Sequence, residues 1–121
     1  MRKLERDEAQ IYFELIPEDQ SLILTELRDR MMKLSKADPE VIMSYQLPTI
    51  QVKGKKFLAI AAWKNFYSIY FLSGDLGATI RKDLTQGDLD KATLRFGWDE
   101  KVSNATLKTI IAGRMKQLFD N

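Results

Sequence analysis

The stretch from Ser44 to Leu72 constrains the fold most strongly, because it carries the longest apolar runs and most of the aromatic residues. Residues 49–53 alternate between polar and apolar side chains, which is the pattern of a half-buried strand. Gly54-Lys55 and Lys64-Asn65 fit two-residue turns between such strands. The stretch therefore predicts a meander of three antiparallel strands.

Two residues in each turn would set the register of the predicted strands. Val52 would then face Phe57 across the first turn, and Ile60 would face Ile69 across the second. One face of the sheet would hold Ile50, Val52, Phe57, Ala59, Ala61, Trp63, Phe66, Tyr70 and Leu72. This face is apolar on all three strands, so we expect the main helices to cover it.

The opposite face of the predicted sheet carries a second apolar group, namely Leu58, Ile60, Tyr67, Ile69 and Phe71. Such a patch is larger than a soluble monomer normally leaves in water. Another helix of the chain, a second subunit or a ligand could cover it. The sequence leaves these three alternatives open, and the second of them predicts a homodimer with these residues at its interface.

The regions flanking the meander predict mainly helices. The predicted elements are helices from Glu5 to Leu15 and from Pro17 onward, a short helical turn from Pro39 to Met43, a helix capped by Ser73 or Asp75, a fourth strand from Lys91 to Phe96, and a helix capped by Ser103. The expected fold is a single α+β domain spanning residues 1–121. Its antiparallel sheet has at least four strands, with the N- and C-terminal helices packed on one face.

The composition excludes several classes of function. Nineteen Lys and Arg against seventeen Asp and Glu leave too small an excess to steer the chain toward nucleic acid. The chain has no Cys and no His, which excludes thiol nucleophiles and a Ser-His triad. No apolar run approaches the roughly 20 residues that a membrane span needs. We therefore expect a cytoplasmic protein with no nucleic-acid partner, no membrane partner and no enzymatic activity.

Four short motifs resemble those of a known family. They are Ser44-Tyr45-x-x-Pro48, Lys53-Gly54-Lys55, Ala61-x-x-Lys64-Asn65 and Lys91-Ala92-Thr93-Leu94-Arg95-Phe96. In this order they resemble the YdhG-like family, largely a domain of unknown function with helices packed on one side of an antiparallel sheet. That family is also described as frataxin-like, and one member has been called an iron chaperone. The resemblance therefore implies iron as cargo and an iron-accepting protein as a partner.

The resemblance also indicates candidate ligand-binding positions. The polar or rigid residues that match the family pattern are Tyr45, Pro48, Lys64, Tyr70 and Arg95. Arg95 alternates with Leu94 and Phe96, so it could hold an anion at the rim of a pocket on the second sheet face. The competing interpretation is structural: Tyr45 and Pro48 fix the path of the chain into the sheet, and Lys64 is a turn residue. Many relatives carry a His where this chain has Phe66.

Iron binding without His or Cys would depend on carboxylates, which are hard oxygen ligands. The candidate ligands are Glu5, Glu8, Glu14, Glu18 and Asp19. The competing interpretation is that they solvate one helix and favour the start of the next. Two hypotheses follow: a non-enzymatic binding protein that carries iron, or an interaction module that associates through the second sheet face.

Overall fold

The computed structural model describes residues 8–119, and it shows the predicted α+β fold. The helices are α1 (Glu8–Leu15), α2 (Glu18–Ser35), α3 (Gly74–Ile80) and α4 (Asn104–Phe119), with a 3₁₀ turn at Arg81–Asp83. The strands are β1 (Glu40–Ser44), β2 (Leu47–Val52), β3 (Lys55–Ala62), β4 (Phe66–Tyr70), β5 (Asp88–Asp90) and β6 (Thr93–Gly97). No helix in this described part of the chain is both long enough and apolar enough to cross a membrane.

The strands form one antiparallel sheet of six, in the order β1-β2-β3-β4-β6-β5. The predicted meander is confirmed as β2, β3 and β4, and the predicted fourth strand is confirmed as β6. The prediction of a helical turn from Pro39 to Met43 is wrong, because Glu40–Ser44 forms β1 and pairs with β2. The β-branched Val41 and Ile42 suit a strand, and pairing with β2 outweighs the helical start signal around Pro39.

The first predicted turn is displaced by one residue. Lys53 and Gly54 occupy it with φ values of 52° and 78°, the positive values that a type I′ hairpin turn requires. Farther along, Gln51 faces Lys56 while Ile50 faces Leu58, so Phe57 is the extra residue of a β-bulge in β3. The bulge shifts the register beyond it by one residue. Ile50 of β2 therefore shares a face with Leu58 and Ile60 rather than with Ala59 and Ala61 as predicted.

The second predicted turn is confirmed. Ile60 faces Ile69, and the Trp63 N–H donates to the Phe66 carbonyl at 2.9 Å across Lys64-Asn65. The prediction that the main helices cover the face of Trp63 and Tyr70, however, is wrong. They cover the second face, for which the sequence left a helix, a second subunit or a ligand as alternatives. Its members Leu58, Ile60, Tyr67, Ile69 and Phe71 are each 1% exposed or less. The prediction that these residues form an interface is therefore wrong, because they are the centre of the core.

The helices α2 and α4 cover this core face. Both pack against β3 and against each other, with buried apolar residues at Leu24, Leu27 and Met31 of α2 and at Leu107, Ile110 and Ile111 of α4. Ile50 and Val52 join this core. Trp63 and Tyr70, which were expected beside Val52, lie on the opposite face, which we call the outer face.

The helix starts follow their capping residues. The Ser73 hydroxyl accepts from the Leu76 N–H at 3.3 Å, and the Ser103 hydroxyl accepts from the Thr106 N–H at 3.1 Å. The Ser103 cap was predicted, and Ser73 is the one of the two candidates, Ser73 and Asp75, that caps α3. Each satisfies a backbone donor that the helix itself leaves unpaired. The third helix ends at Ile80, and Leu84 lies beyond the 3₁₀ turn in extended conformation.

Arg114 fastens α4 to the bulge of β3. Its Nε donates to the Phe57 carbonyl at 2.8 Å, and its Nη2 donates to the Lys56 carbonyl at 3.1 Å. The side chain is buried, and Nη1 donates to Gln117 Oε1 at 2.6 Å. One guanidinium therefore serves both carbonyls on the irregular segment of the strand.

Candidate functional site

A groove of about 320 Å³ lies between α2 and the loop that follows β6, residues 98–102. Its floor is made of the buried residues Leu27, Tyr67 and Val102. Its sides include Leu22 of α2, which is 67% exposed, and Trp98 of the loop. We call this cavity the α2 groove. Most of its surface is apolar, which is the usual character of a small-molecule site.

Arg30 of α2 holds the loop side of the groove in place. Its Nη2 donates to the Val102 carbonyl at 2.6 Å and to Asn104 Oδ1 at 2.8 Å. From the opposite side, Gln86 donates to the Lys101 carbonyl at 3.2 Å and accepts from the Ser103 N–H at 2.7 Å. The loop is therefore fastened at both of its sides, and the groove is pre-formed.

The floor of the groove is aromatic. The Tyr67 ring lies 5.1 Å from the Trp98 ring and 5.6 Å from the Phe96 ring, centroid to centroid. The Tyr67 hydroxyl donates to the Glu100 carbonyl. Burial raises the pKa of Tyr67 to about 12, against a smaller lowering effect of the Val102 backbone. Tyr67 is therefore neutral at physiological pH and serves as a fixed donor rather than an acid or base.

The charged residues stand at the rim of the groove. Glu26 lies 3.4 Å from Lys101 and 3.6 Å from Arg30 as ion pairs, and the Glu100 carboxylate accepts from the Gly97 N–H at 2.7 Å. The Glu26–Lys101 pair joins α2 to the loop. The arrangement suits the binding of an apolar or aromatic molecule.

The outer face of the sheet carries a second cluster, which we call the outer patch: Ala61, Trp63, Phe66, Ser68, Tyr70 and Arg95. The Trp63 Nε1–H donates to the Tyr70 hydroxyl at 3.0 Å. The Trp63 and Phe66 rings stack with centroids 6.3 Å apart. Arg95 places its Cζ 5.8 Å from the centre of the Phe66 ring.

The predicted ligand-binding residues are only partly brought together. Tyr70 and Arg95 both lie in the outer patch, so the prediction that Arg95 borders the second sheet face is wrong. Lys64 is exposed in the turn beside the patch. Tyr45 is exposed in the turn between β1 and β2, with the Lys56 Nζ 5.2 Å from its ring centre. Pro48 is buried in β2 opposite Met43. The positions of Tyr45 and Pro48 agree with the structural interpretation, in which they direct the chain into the sheet.

The predicted carboxylate site is not assembled within residues 8–119. Glu8 and Glu14 lie on α1, Glu18 and Asp19 lie in the first turn of α2, and Glu5 lies outside the described residues. Asp19 accepts from the Gln20 N–H at 2.9 Å, as a residue at a helix start does. Among the described residues, no group of three or more carboxylates could hold a metal ion.

Most of the groove residues were missed by reasoning from the sequence. Leu22 is an apolar residue that does not belong to the buried side of α2, and Trp98 stands in a short polar segment between β6 and α4. Each is a large apolar side chain where solvent would favour a polar one. That mismatch was the available signal, although it could not show that the two residues meet.

The fold and the groove together define a small α+β protein with a pre-formed apolar cavity beside its sheet. The chain matches no protein-family model and no curated protein. Its fold is similar to that in the crystal structure of a DUF1801 family protein, YdhG, from Bacillus subtilis. The TM-score is 0.76 at 14% identity, and the match covers 93% of each chain. This likeness shows that the two proteins share a fold.

Proposed function

We propose that the protein is a cytoplasmic, non-enzymatic binding protein of the YdhG-like family that takes a small apolar or aromatic molecule into the α2 groove. The four sequence motifs and the shared fold support the family assignment. The observation that carries the binding function is the apolar groove of about 320 Å³ with Tyr67 and Leu27 in its floor. Its volume is within the range of about 300 to 1,000 Å³ that is typical of ligand pockets.

Binding is favoured over catalysis by the state of the polar groups. Tyr67 is neutral, because burial raises its pKa to about 12. Glu26 pairs with Arg30 along α2 and with Lys101 across the rim. A ligand would therefore gain affinity mainly from apolar contact, which contributes about 25 cal/mol for each Å² removed from water.

Iron delivery, the second function that the resemblance implies, has no supporting group of carboxylates among the described residues. A calorimetric titration with ferrous iron under anaerobic conditions tests it directly. No heat of binding at millimolar metal would exclude it.

The groove is tested with N-phenyl-1-naphthylamine, an uncharged aromatic probe whose fluorescence rises in apolar surroundings. Leu22→Gln removes one side of the groove, and Leu15→Gln is the matched control, because Leu15 is also exposed but lies outside the groove. Loss of about 50 Å² of apolar contact corresponds to roughly 1.2 kcal/mol, or about an eightfold weaker Kd.

We expect saturable binding to the wild-type protein, with weakening only in Leu22→Gln. Trp98→Leu removes the aromatic ring from the opposite side of the groove and should weaken the probe as well. Absence of saturable binding, or equal weakening by Leu22→Gln and Leu15→Gln, would overturn the proposal.

A further inference from the structure

The hydroxyl of Ser68 is anomalous. Ser68 lies in the central strand β4 and is 0% exposed. Among the described residues, its Oγ is buried and has no hydrogen-bond partner. A buried hydroxyl without a partner destabilises the folded state, because it has lost its hydrogen bonds to water. Such groups are rare in folded proteins, and where they occur they often serve a function.

Ser68 lies on the outer face, between β3 and β6. Ser68 faces Ala61 of β3 on one side and Arg95 of β6 on the other. Trp63 lies two residues beyond Ala61, and Tyr70 lies two residues beyond Ser68, so these two aromatic residues stand on either side of that row. The hydrogen bond of 3.0 Å from the Trp63 indole to the Tyr70 hydroxyl therefore crosses over Ala61 and Ser68.

Trp63 is held in this position only lightly. It is 45% exposed, and its side chain makes one hydrogen bond, to the Tyr70 hydroxyl, and one ring contact, with Phe66. Exposed side chains change rotamer within nanoseconds. Rotation of the indole away from Tyr70 would uncover a shallow depression with small residues at its base.

Arg95 supplies a positive charge to the same row. Its ion pair with Asp90 is 3.7 Å long and partly exposed, and pairs of this kind contribute little. A guanidinium has five N–H donors in a fork that matches a carboxylate. Arg95 therefore retains donors for an anion while its plane remains near the Phe66 ring.

We propose that the outer patch is a closed binding site for a small aromatic carboxylate, with the Trp63 indole as its movable cover. Arg95 and the Ser68 hydroxyl bind the carboxylate, and Phe66 and Trp63 contact the ring of the ligand. The site is separate from the α2 groove and takes a different class of molecule. It also gives the Ser68 hydroxyl the acceptor that the closed form lacks.

The test uses sodium benzoate as the probe and the two tryptophan indole N–H signals in a ¹H–¹⁵N correlation spectrum as reporters. Trp63→Phe and Trp98→Phe assign the signals. The Trp63 N–H should shift in a saturable manner, because benzoate breaks its bond to Tyr70. The Trp98 N–H, which donates to the Trp63 carbonyl at 3.0 Å, should shift less. Benzamide lacks the charge and inorganic phosphate lacks the ring, so each should bind at least tenfold more weakly.

Three variants give the specificity of the site. Arg95→Gln should weaken benzoate at least tenfold, whereas Lys64→Gln, which removes an equal charge from the neighbouring turn, should leave affinity unchanged. Ser68→Ala should weaken benzoate about threefold to tenfold and also raise the melting temperature, since it removes the unsatisfied hydroxyl. If Ser68 had only a structural role, its replacement would change the melting temperature without weakening benzoate binding.

The proposal is overturned if benzoate at tens of millimolar produces no saturable shift of the Trp63 signal. It is also overturned if benzamide binds as well as benzoate, or if Lys64→Gln weakens benzoate as much as Arg95→Gln. Unchanged benzoate affinity in Ser68→Ala would overturn it as well, because the proposal starts from the Ser68 hydroxyl.

Discussion

Replacement of Arg114 with Met tests the account of the bulge most directly. Arg114 donates to the carbonyls of Phe57 and Lys56 at 2.8 and 3.1 Å, and hydrogen bonds from a charged donor contribute about 1.5–3 kcal/mol each. Burial lowers the pKa of Arg114, which reflects a desolvation cost that Met does not carry. Met also retains much of the apolar stem. The free energy of unfolding should therefore fall by about 3 kcal/mol, the lower end of the range for two such hydrogen bonds.

This loss is a large share of the roughly 5–15 kcal/mol by which a domain is stable. Urea unfolding followed by tryptophan fluorescence measures it, and the melting temperature should fall by about 10 °C. Arg114→Lys keeps the charge but cannot reach both carbonyls with a fork, so it should lose about half as much. Arg81→Met is the matched control, because Arg81 is exposed, and it should change stability by less than about 0.5 kcal/mol.

A loss below about 1 kcal/mol in Arg114→Met would refute the reasoning. It would mean that the carbonyls of Phe57 and Lys56 find other partners when the guanidinium is removed. The bulge would then be held by the strand pairing alone, and the role assigned to α4 in fixing the register of β3 would be incorrect.

Two further predictions concern packing and pH. Gly77→Ala should lower the free energy of unfolding by at least about 2 kcal/mol, measured with urea. The added Cβ would lie 1.8 Å from the Lys91 carbonyl oxygen. Gly74→Ala is the control and should be neutral or stabilising, because nothing lies within 4 Å of its added Cβ. Burial raises the pKa of Tyr67 to about 12 in the folded protein, whereas an exposed tyrosine titrates near 10. The neutral phenol therefore stabilises the fold fully below about pH 10. Between about pH 10 and 12 the free energy of unfolding falls by up to about 1.4 kcal/mol for each pH unit. Tyr67→Phe should reduce this alkaline slope, and an unchanged slope would contradict the assignment.

The parts of the fold that could be predicted are those set by local pattern. The helix that follows Pro17, the cap at Ser103 and the turn at Lys64-Asn65 are all found in the structure. The bulge at Phe57 could not be predicted, because residues 57–63 are apolar on both sides of the strand. Such a strand lacks the alternation that fixes a register, so an error of one residue exchanged the core face for the outer face.

The candidate sites were only partly accessible to the same reasoning. Tyr70 and Arg95 were expected on opposite faces of the sheet, because alternation within each strand does not show how β6 pairs with β4. The pairing of Ser68 with Arg95 places them on the same face. The α2 groove joins Leu22 to Trp98, which are far apart in the chain and share no motif. Ser68 carries no signal in the sequence, since only the structure shows that its hydroxyl lacks a partner.

The two edges of the sheet have a consequence for self-association of the protein into fibrils. β5 is three residues long and has Asp88 and Asp90 at its ends, and a short, negatively charged edge is a poor template for another strand. β1 begins with Glu40 and has α1 packed against it. Variants that neutralise these carboxylates should therefore aggregate faster on mild heating, even where the melting temperature is unchanged.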